Sequence, residues 1–394
     1  MRGWLLGLLL VLSTAPACES DHNALAKGAT SSGGVAGSGG RAGSGGSQAG
    51  FTTVPQTGGA KATGTGGRAP DEAPGENVLT FMHGIVDAER VLVCFVAGRG
   101  AGARVLAEPP VPLGYGESLA RRALEGASFV ADDIEPVVIA GELELVADLD
   151  CAEALTLART EQDAAPTLPE LASGGGGAGG AGIGAEAGAG GAPLPEPPRL
   201  RVGELPIVPA GTMNAGRSYL LVGNGCIGGP AFSHKYDQEA CGPAYSPTNP
   251  TLSAVLLAMS RQTEIGKLGL QVVNASVATG AVDLTATRLL STEFQPIVAD
   301  VELGEIVPGI SQLTLAGEGY GANSPFWQVE VQDDGSSLFA ERWSVIAARG
   351  GLTSLDDGLA YTLVVLGPDA ASERTGFWNA RALGIVRNDP FSTQ

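Results

Sequence analysis

Histidine is scarce in this 394-residue chain, which has only His22, His83 and His234. Imidazole-based proton transfer is therefore confined to very few positions, and no G-x-S-x-G elbow accompanies them. C-x-x-C spacing is also absent, which argues against a zinc site built on neighbouring thiolates. Charged residues make up 16% of the chain and are acidic on balance, giving a formal net charge of −19. The first 75 residues contribute about +1 of that, so the acidity belongs to the folding regions. Such a surface repels phosphate backbones and anionic lipid, which excludes nucleic acid as the expected partner. The N-terminal apolar run, 4–12, is too short to remain as a membrane-spanning helix.

What the chain has in excess is glycine, 60 residues, with 25 prolines, gathered mainly in two tracts. Ahead of the first tract, Arg2, the run Trp4 to Leu12 and Ser13-Thr14-Ala15-Pro16-Ala17 read as a signal peptide over 1–17. Cys18 follows directly, and the arrangement resembles a bacterial lipobox with Ala15 in the place usually held by leucine. That resemblance implies lipidation of Cys18; the competing reading is an ordinary secretory signal cut after Ala17. Glu19 is not the aspartate that such lipoproteins use for inner-membrane retention, so the expected address is the outer membrane or cell surface, with a periplasmic or secreted protein as the alternative. Residues 18–75 are low in complexity and read as a disordered tether spanning roughly 40 Å.

Beyond the tether the sequence repeats itself. Val78 to Phe95 aligns without a gap on Gly269 onward, placing Leu79 with Leu270, Val86 with Val277 and Val91 with Val282. Val111 and Leu113-Gly114 then match Val301 and Leu303-Gly304, and the strand around Tyr219 matches the strand around Tyr361. Three correspondences in one order indicate a duplicated domain, with units at 76–263 and 267–394. The second glycine tract, at about 173–198, falls inside the first unit and reads as a surface insertion. Loop closure grows costlier only logarithmically with length, so a fold tolerates it.

Most segments read as strands. In the first unit these are 78–82, 90–96, 104–107, 112–119, 134–147 split at Gly141, 199–208, 217–223 and 251–262. Leu143 and Leu145 alternate with Glu142 and Glu144, which predicts a half-buried strand there. Asp150 and Glu153 form a capping-box pattern opening one short helix to Arg159. In the second unit the expected strands are 269–274, 281–287, 296–303, 312–316, 327–332, 339–347, 359–366 and 382–386. Short strands at regular spacing predict an all-β protein of two tandem Ig-like β-sandwich domains.

Val272-x-Asn274-Ala275-Ser276, then Ala281-Val282-Asp283-Leu284 and Ala360-Tyr361-Thr362-Leu363-Val364-Val365-Leu366-Gly367, resemble the domain-of-unknown-function family 4397. His83 and Asp87-Ala88 match its signature in the first unit, and Ala275-Ser276 and Val282-Asp283 in the second. Leu92 stands where the family has aspartate, and Ala278-Thr279 replaces its D-A. The resemblance implies extracytoplasmic β-sandwich modules of bacteria and carries over no catalytic residue.

Four cysteines remain after Cys18, and in an exported chain they are expected as disulfides. Of three connectivities, sequence proximity favours Cys94–Cys151 and Cys226–Cys241; a four-thiolate zinc site is the rival. Gly223-x-Gly225-x-x-Gly228 follows a strand but leads into the cysteine loop rather than a helix, so it reads as a turn and not a dinucleotide site. The pairs Asp132-Asp133, Asp333-Asp334 and Asp356-Asp357 lack the spacing of a calcium loop and read as turns. Asn274-Ala-Ser276 is a glycosylation sequon on an expected strand and is discounted; Trp327, Trp343 and Trp378 could line a sugar platform, but strand placement of the first two favours the core.

These features together predict a non-enzymatic, lipid-anchored module without cofactor or bound metal. Its partners would be the membrane, through the lipid, and an envelope or extracellular ligand. An extracytoplasmic hydrolase with an unrecognised site is the alternative.

Overall fold

In the computed structural model of the chain, the described residues are 52–53, 77–106, 110–122, 124, 127–164, 199–228, 240–241, 245, 250–264, 267–276, 280–289, 294–302, 304, 311–313, 327–353, 355, 358–368 and 379–391. The signal, the tether with Cys18 apart from Thr52-Thr53, the glycine tract at 173–198, His22, His234, Leu303, Asp356-Asp357 and Trp378 lie outside them.

The first unit comprises β2 (Val78–Ile85), β3 (Arg90–Ala97), β4 (Arg104–Val105), β5 (Pro112–Gly114), β6 (Ser118–Arg121), β7 (Ile134–Gly141), α1 (Cys151–Ala164), β8 (Leu200–Glu204), β9 (Ser218–Gly225) and β10 (Ser253–Met259), and β1 (Thr52–Thr53), from within the expected tether, adds in parallel beside β10. The second comprises β11 (Leu268–Asn274), β12 (Val282–Arg288), β13 (Phe294–Val301), β14 (Ser311–Leu313), β15 (Trp327–Asp333), β16 (Ser336–Arg342), α2 (Trp343–Arg349), β17 (Ala360–Leu366) and β18 (Ala382–Arg387). Among the described residues the architecture is thus β-sheet with two helices, as expected of sandwiches.

Sheet order exposes the duplication. One sheet runs β10-β9-β2-β6 and its counterpart β18-β17-β11-β14; the others run β4-β3-β7-β8 and β13-β12-β15-β16. In both units the first strand pairs in parallel with the tyrosine strand, Leu79 opposite Tyr219 and Leu270 opposite Tyr361. Gly225 and Gly367 end those tyrosine strands at φ 87° and 107°, and a Cβ would lie 2.1 Å from Thr251 O in the first and 2.7 Å from Arg381 Cα in the second. Only glycine meets both conditions. One detail of the alignment changes: Val91 pairs with Leu113, and Val282 with Val301. The counterpart of Val301 is therefore Leu113 rather than Val111. The two-residue step keeps the same face inward, which is why the pattern alone left it open.

The sheets stack in four layers. Phe81, Val91, Val93, Val138, Tyr219 and Leu221 form the core of the first sandwich, and Leu270, Leu284, Val329, Tyr361 and Leu363 that of the second. Between the two lies a further apolar layer: Met82, Leu220, Val222, Val255 and Leu257 face Val273, Val364, Leu366 and Val386. The inner sheets are therefore buried on both faces, and every residue of β9 (SYLLVGNG) and β17 (AYTLVVL) is buried, most of them apolar. Fusion through this layer goes beyond two sandwiches in tandem. A buried polar cluster fixes its register: Asn388 Nδ2 donates to Gln271 Oε1 (2.9 Å) and to Ser260 O (2.7 Å), Thr362 Oγ1 donates to Asn388 Oδ1 (2.7 Å), and Ser260 N–H donates to Gln271 Oε1 (2.8 Å).

The outer sheets differ from each other. On β3 and β7, Leu92, Cys94, Val137 and Ile139 face away from the sandwich core and are covered by Leu143 and Val146 of the segment before α1 and by Ala154, Leu155 and Ala158 of α1. The corresponding positions of β12 and β15 are Asp283, Thr285, Glu330 and Gln332, since Cys94 pairs with Val137 as Thr285 pairs with Glu330. Where unit two connects its strands by the Asp334-Gly335 turn, unit one inserts everything from Glu142 to Arg199. The helix is the part of that insertion that closes an otherwise exposed apolar face. Its start is capped as expected, Glu153 N–H donating to Asp150 Oδ1 at 2.9 Å. It runs five residues beyond Arg159, and Gln162 Oε1 accepts the Val202 N–H at 2.8 Å, covering the edge of β8.

The expected strand 112–119 divides at the turn of Tyr115-Gly116 into β5, paired with β3, and β6, paired with β2. Two further strand expectations fail. Residues 143–146 form a 3-10 turn, burying Leu143 and Val146 at a spacing of three, because β7 stops at Gly141 with φ 116° and Arg199 O packed against it. The expected strand 339–347 ends at Arg342 and becomes α2, which buries Trp343, Ile346 and Ala347. That spacing of three and four is helical, and Gly350-Gly351 follows as the stop.

Candidate functional site

The turn joining β2 to β3 concentrates the buried titratable groups of the first unit. His83, fully buried on β2, accepts the Ile85 N–H through Nδ1 (3.2 Å), and its Nε2 lies 3.0 Å from Ala88 O. Both nitrogens are thus occupied by backbone, which requires the neutral Nε2–H tautomer. Burial pushes the imidazole pKa down to about 4, the Ala88 carbonyl pulling the other way. Its ring meets Tyr115 edge-on with centroids 5.7 Å apart. The equivalent residue of the second unit, Asn274, does the same: Oδ1 accepts the Ser276 N–H (3.2 Å) and Nδ2 donates to Gly280 O (2.9 Å) and Val301 O (3.2 Å). A brace of a strand end accounts for both. Asn274 is fully buried, which removes the glycosylation sequon.

Asp87 sits at the tip of the same turn with 1% exposure. Its two oxygens accept the N–H groups of Ile227 and Gly228, each at 2.8 Å, and Arg201 lies 3.5 Å away. The Arg201 guanidinium also donates to the Gly228 and Asp87 carbonyls. Burial pushes the Asp87 carboxyl up, with Arg201 and the two N–H groups opposing it. Gly223-x-Gly225-x-x-Gly228 therefore does present N–H groups to an anion, and the anion is the chain's own carboxylate. From the second unit, Asn379 donates to Ile85 O (3.0 Å), Ala88 O (2.6 Å) and, through its backbone, Val86 O (2.8 Å). Three elements distant in sequence grip one turn.

Beside this turn a cleft of ≈ 430 Å³ is lined by Asp87, Glu89, Arg90, Glu142, Glu144 and Arg201. His83 does not line it, and Asp87 and Arg201 enter it already committed to each other and to backbone. Among the described residues no group of three or more His, Cys, Asp or Glu side chains is placed to hold a metal ion.

The other candidate residues resolve as follows. Cys94 bonds to Cys151, and Cys226 to Cys241, tying β3 to the start of α1 and the end of β9 to its following loop. Both bridges are buried and belong to an oxidising, extracytoplasmic setting. No helix of the described residues is long and apolar enough to cross a membrane. Asp132 and Asp133 accept the N–H groups of Ser128 (2.7 Å) and Ala210 (2.8 Å), and Asp334 and Gly335 take φ of 47° and 74° in a hairpin. These are turn roles. Trp327 and Trp343 are core residues at 4% and 3% exposure. Sequence reasoning missed Arg201 and Asn379 altogether, since isolated polar residues carry no periodic signal. It also missed Phe294, the exposed aromatic of β13.

Neither a family model nor a curated protein matches the chain. Among solved structures, a candidate cell adhesion protein from Parabacteroides distasonis aligns over 82% of this chain and 99% of its own, at 9% identity and a TM-score of 0.15. What the geometry itself defines is an all-β protein of two fused, related sandwiches, stapled by two disulfides in the first.

Proposed function

We propose that this is an exported protein, anchored by lipid on Cys18 and held off the membrane by its glycine-rich tether, that acts through its surface as a binding or structural module of the cell envelope. The observation that supports a non-enzymatic reading is the commitment of His83 and Asp87. Each is buried; His83 has both ring nitrogens on backbone groups of its own turn, and Asp87 has both oxygens on the Ile227 and Gly228 N–H groups of the loop after β9. A general acid or base needs a free face toward a substrate. The disulfides support the extracytoplasmic address, and the signal-like segment before Cys18 supports the anchor.

Two measurements test the two halves of this reading. Labelled palmitate should enter the wild type in its native host and not Cys18→Ser; equal labelling of both ends the lipoprotein reading. A broad hydrolase screen of the purified protein should show no turnover. Activity that survives refolding and falls when Glu142 and Glu144 in the cleft are changed to glutamine would establish the hydrolase instead.

A further inference from the structure

The outer face of the second unit carries a feature that its counterpart in the first does not. Register places Phe294, Thr287, Gln328 and Arg342 side by side across β13, β12, β15 and β16, and Pro296, Thr285, Glu330 and Ala340 in the next row. Directly opposed residues share a face, and these point away from a core formed by Leu284, Ala286, Val329 and Ile297. With strands about 4.8 Å apart, each row is ~14 Å long and the rows lie ~7 Å from each other. Phe294 is 67% exposed, Thr285, Gln328 and Glu330 are half-buried, and the Thr287 hydroxyl is buried. In unit one the counterparts of Thr285, Thr287 and Glu330 are Cys94, Val96 and Val137, which belong to the apolar layer under α1, while those of Gln328 and Ala340 are Glu135 and Glu204; here no helix of the described residues covers the face.

We propose that this face is a platform for an uncharged glycan chain, an inference that rests on the binding-module reading above and names its ligand class. The apolar face of a pyranose stacks on an exposed aromatic ring, while vicinal hydroxyls need paired donors and acceptors held flat beside it. Phe294 supplies the first; Gln328, Glu330 and Arg342 supply the second. A row of ~14 Å accommodates about three sugar units at the spacing of a pyranose chain. The charge balance selects among glycans. Arg342 is offset by Glu330 and Asp283 on this face, and the whole chain carries −19, so an anionic polysaccharide is repelled. Single exposed apolar residues are ordinary on protein surfaces. Phe294 differs in being aligned with Gln328 and Arg342 in one row, with Glu330 in the next.

The test is native electrophoresis of the full-length protein through gels containing a soluble mixed-linkage glucan, a galactomannan or a xylan, with polygalacturonate as the anionic comparison. Migration should be retarded in at least one neutral gel and not by polygalacturonate. Phe294→Ala and Gln328→Ala should each weaken that retardation at least tenfold while leaving the thermal midpoint unchanged. Val111→Ser, an exposed site of the first unit, should have no effect. Absence of retardation in all three neutral gels overturns the platform. Retardation that survives both Phe294→Ala and Gln328→Ala also overturns it, while leaving a binding module that uses another surface. Palmitate labelling at Cys18 reports on the anchor independently of either result.

Discussion

Acid should loosen this fold through His83, and the size of the effect follows from its burial. The unfolded imidazole titrates near its ordinary value of 6.5, whereas the folded one is pushed down to about 4 because protonation would place a charge in the core. Between those values the unfolded chain holds more protons. Stability is therefore fully present above the ordinary histidine pKa and is lost as pH falls toward the folded one. The gap corresponds to about 3 kcal/mol in all, with about 1 kcal/mol gone by pH ~5.5 and most of the remainder by pH ~4.5. Asp87 is shifted the other way, upward by burial, so its contribution falls as pH rises and opposes His83 in the same window. A comparison that leaves Asp87 in place removes that complication. His83→Asn copies the residue that braces the same position of the second unit, Asn274, and keeps an acceptor for the Ile85 N–H. It should lose about 1–2 kcal/mol at neutral pH from lost ring packing, and its stability should then depend less on pH than that of the wild type. Urea unfolding of both proteins from pH ~7.5 to ~4.5 measures the difference. Parallel stability curves for the two would refute the argument, because they would mean that the ring accepts a proton in the folded state as easily as in the unfolded one.

Asp87→Ala removes the acceptor for two backbone N–H groups and leaves Arg201 half-unpaired in the interior, so it should cost about 3–5 kcal/mol, read as a lowered denaturant midpoint. Replacing Cys226 and Cys241 by serine opens a loop of 15 residues, worth about 3 kcal/mol in the chain-entropy model, and replacing Cys94 and Cys151 opens one of 57, worth about 4 kcal/mol. Calorimetry of the two double variants should rank them in that order. Deleting residues 173–192 should leave the thermal midpoint unchanged. Excising α1 as well should cause aggregation, since it bares Leu92, Val137 and Ile139, and light scattering would detect it; a soluble, cooperative excision variant would show that the helix is dispensable.

The repeat was legible in the sequence to the residue in its first strand, because the same sheet position imposes the same demand twice: Leu79 and Leu270 each face a tyrosine strand in parallel. Apolar patterning also distinguished the layers. β12 and β15 alternate because one face meets solvent, while β9 and β17 are mostly apolar on both faces because sheets lie on both sides. The disulfide partners were close in sequence and could be named as the favoured pairing. Tertiary structure alone decided the rest. Alternation at 142–146 looked like a strand, but a strand needs a neighbour to pair with, and Gly141 turns the chain away from the sheet before one is reached. That the sandwiches fuse, and that Asn379 and Arg201 close on the turn at Asp87, depends on groups brought together over more than a hundred residues. Local propensity and period describe how a segment fits its own neighbours in the chain. Which carboxylate fills which nest of N–H groups, and which face remains open with Phe294 on it, is settled only when separate segments compete for the same burial.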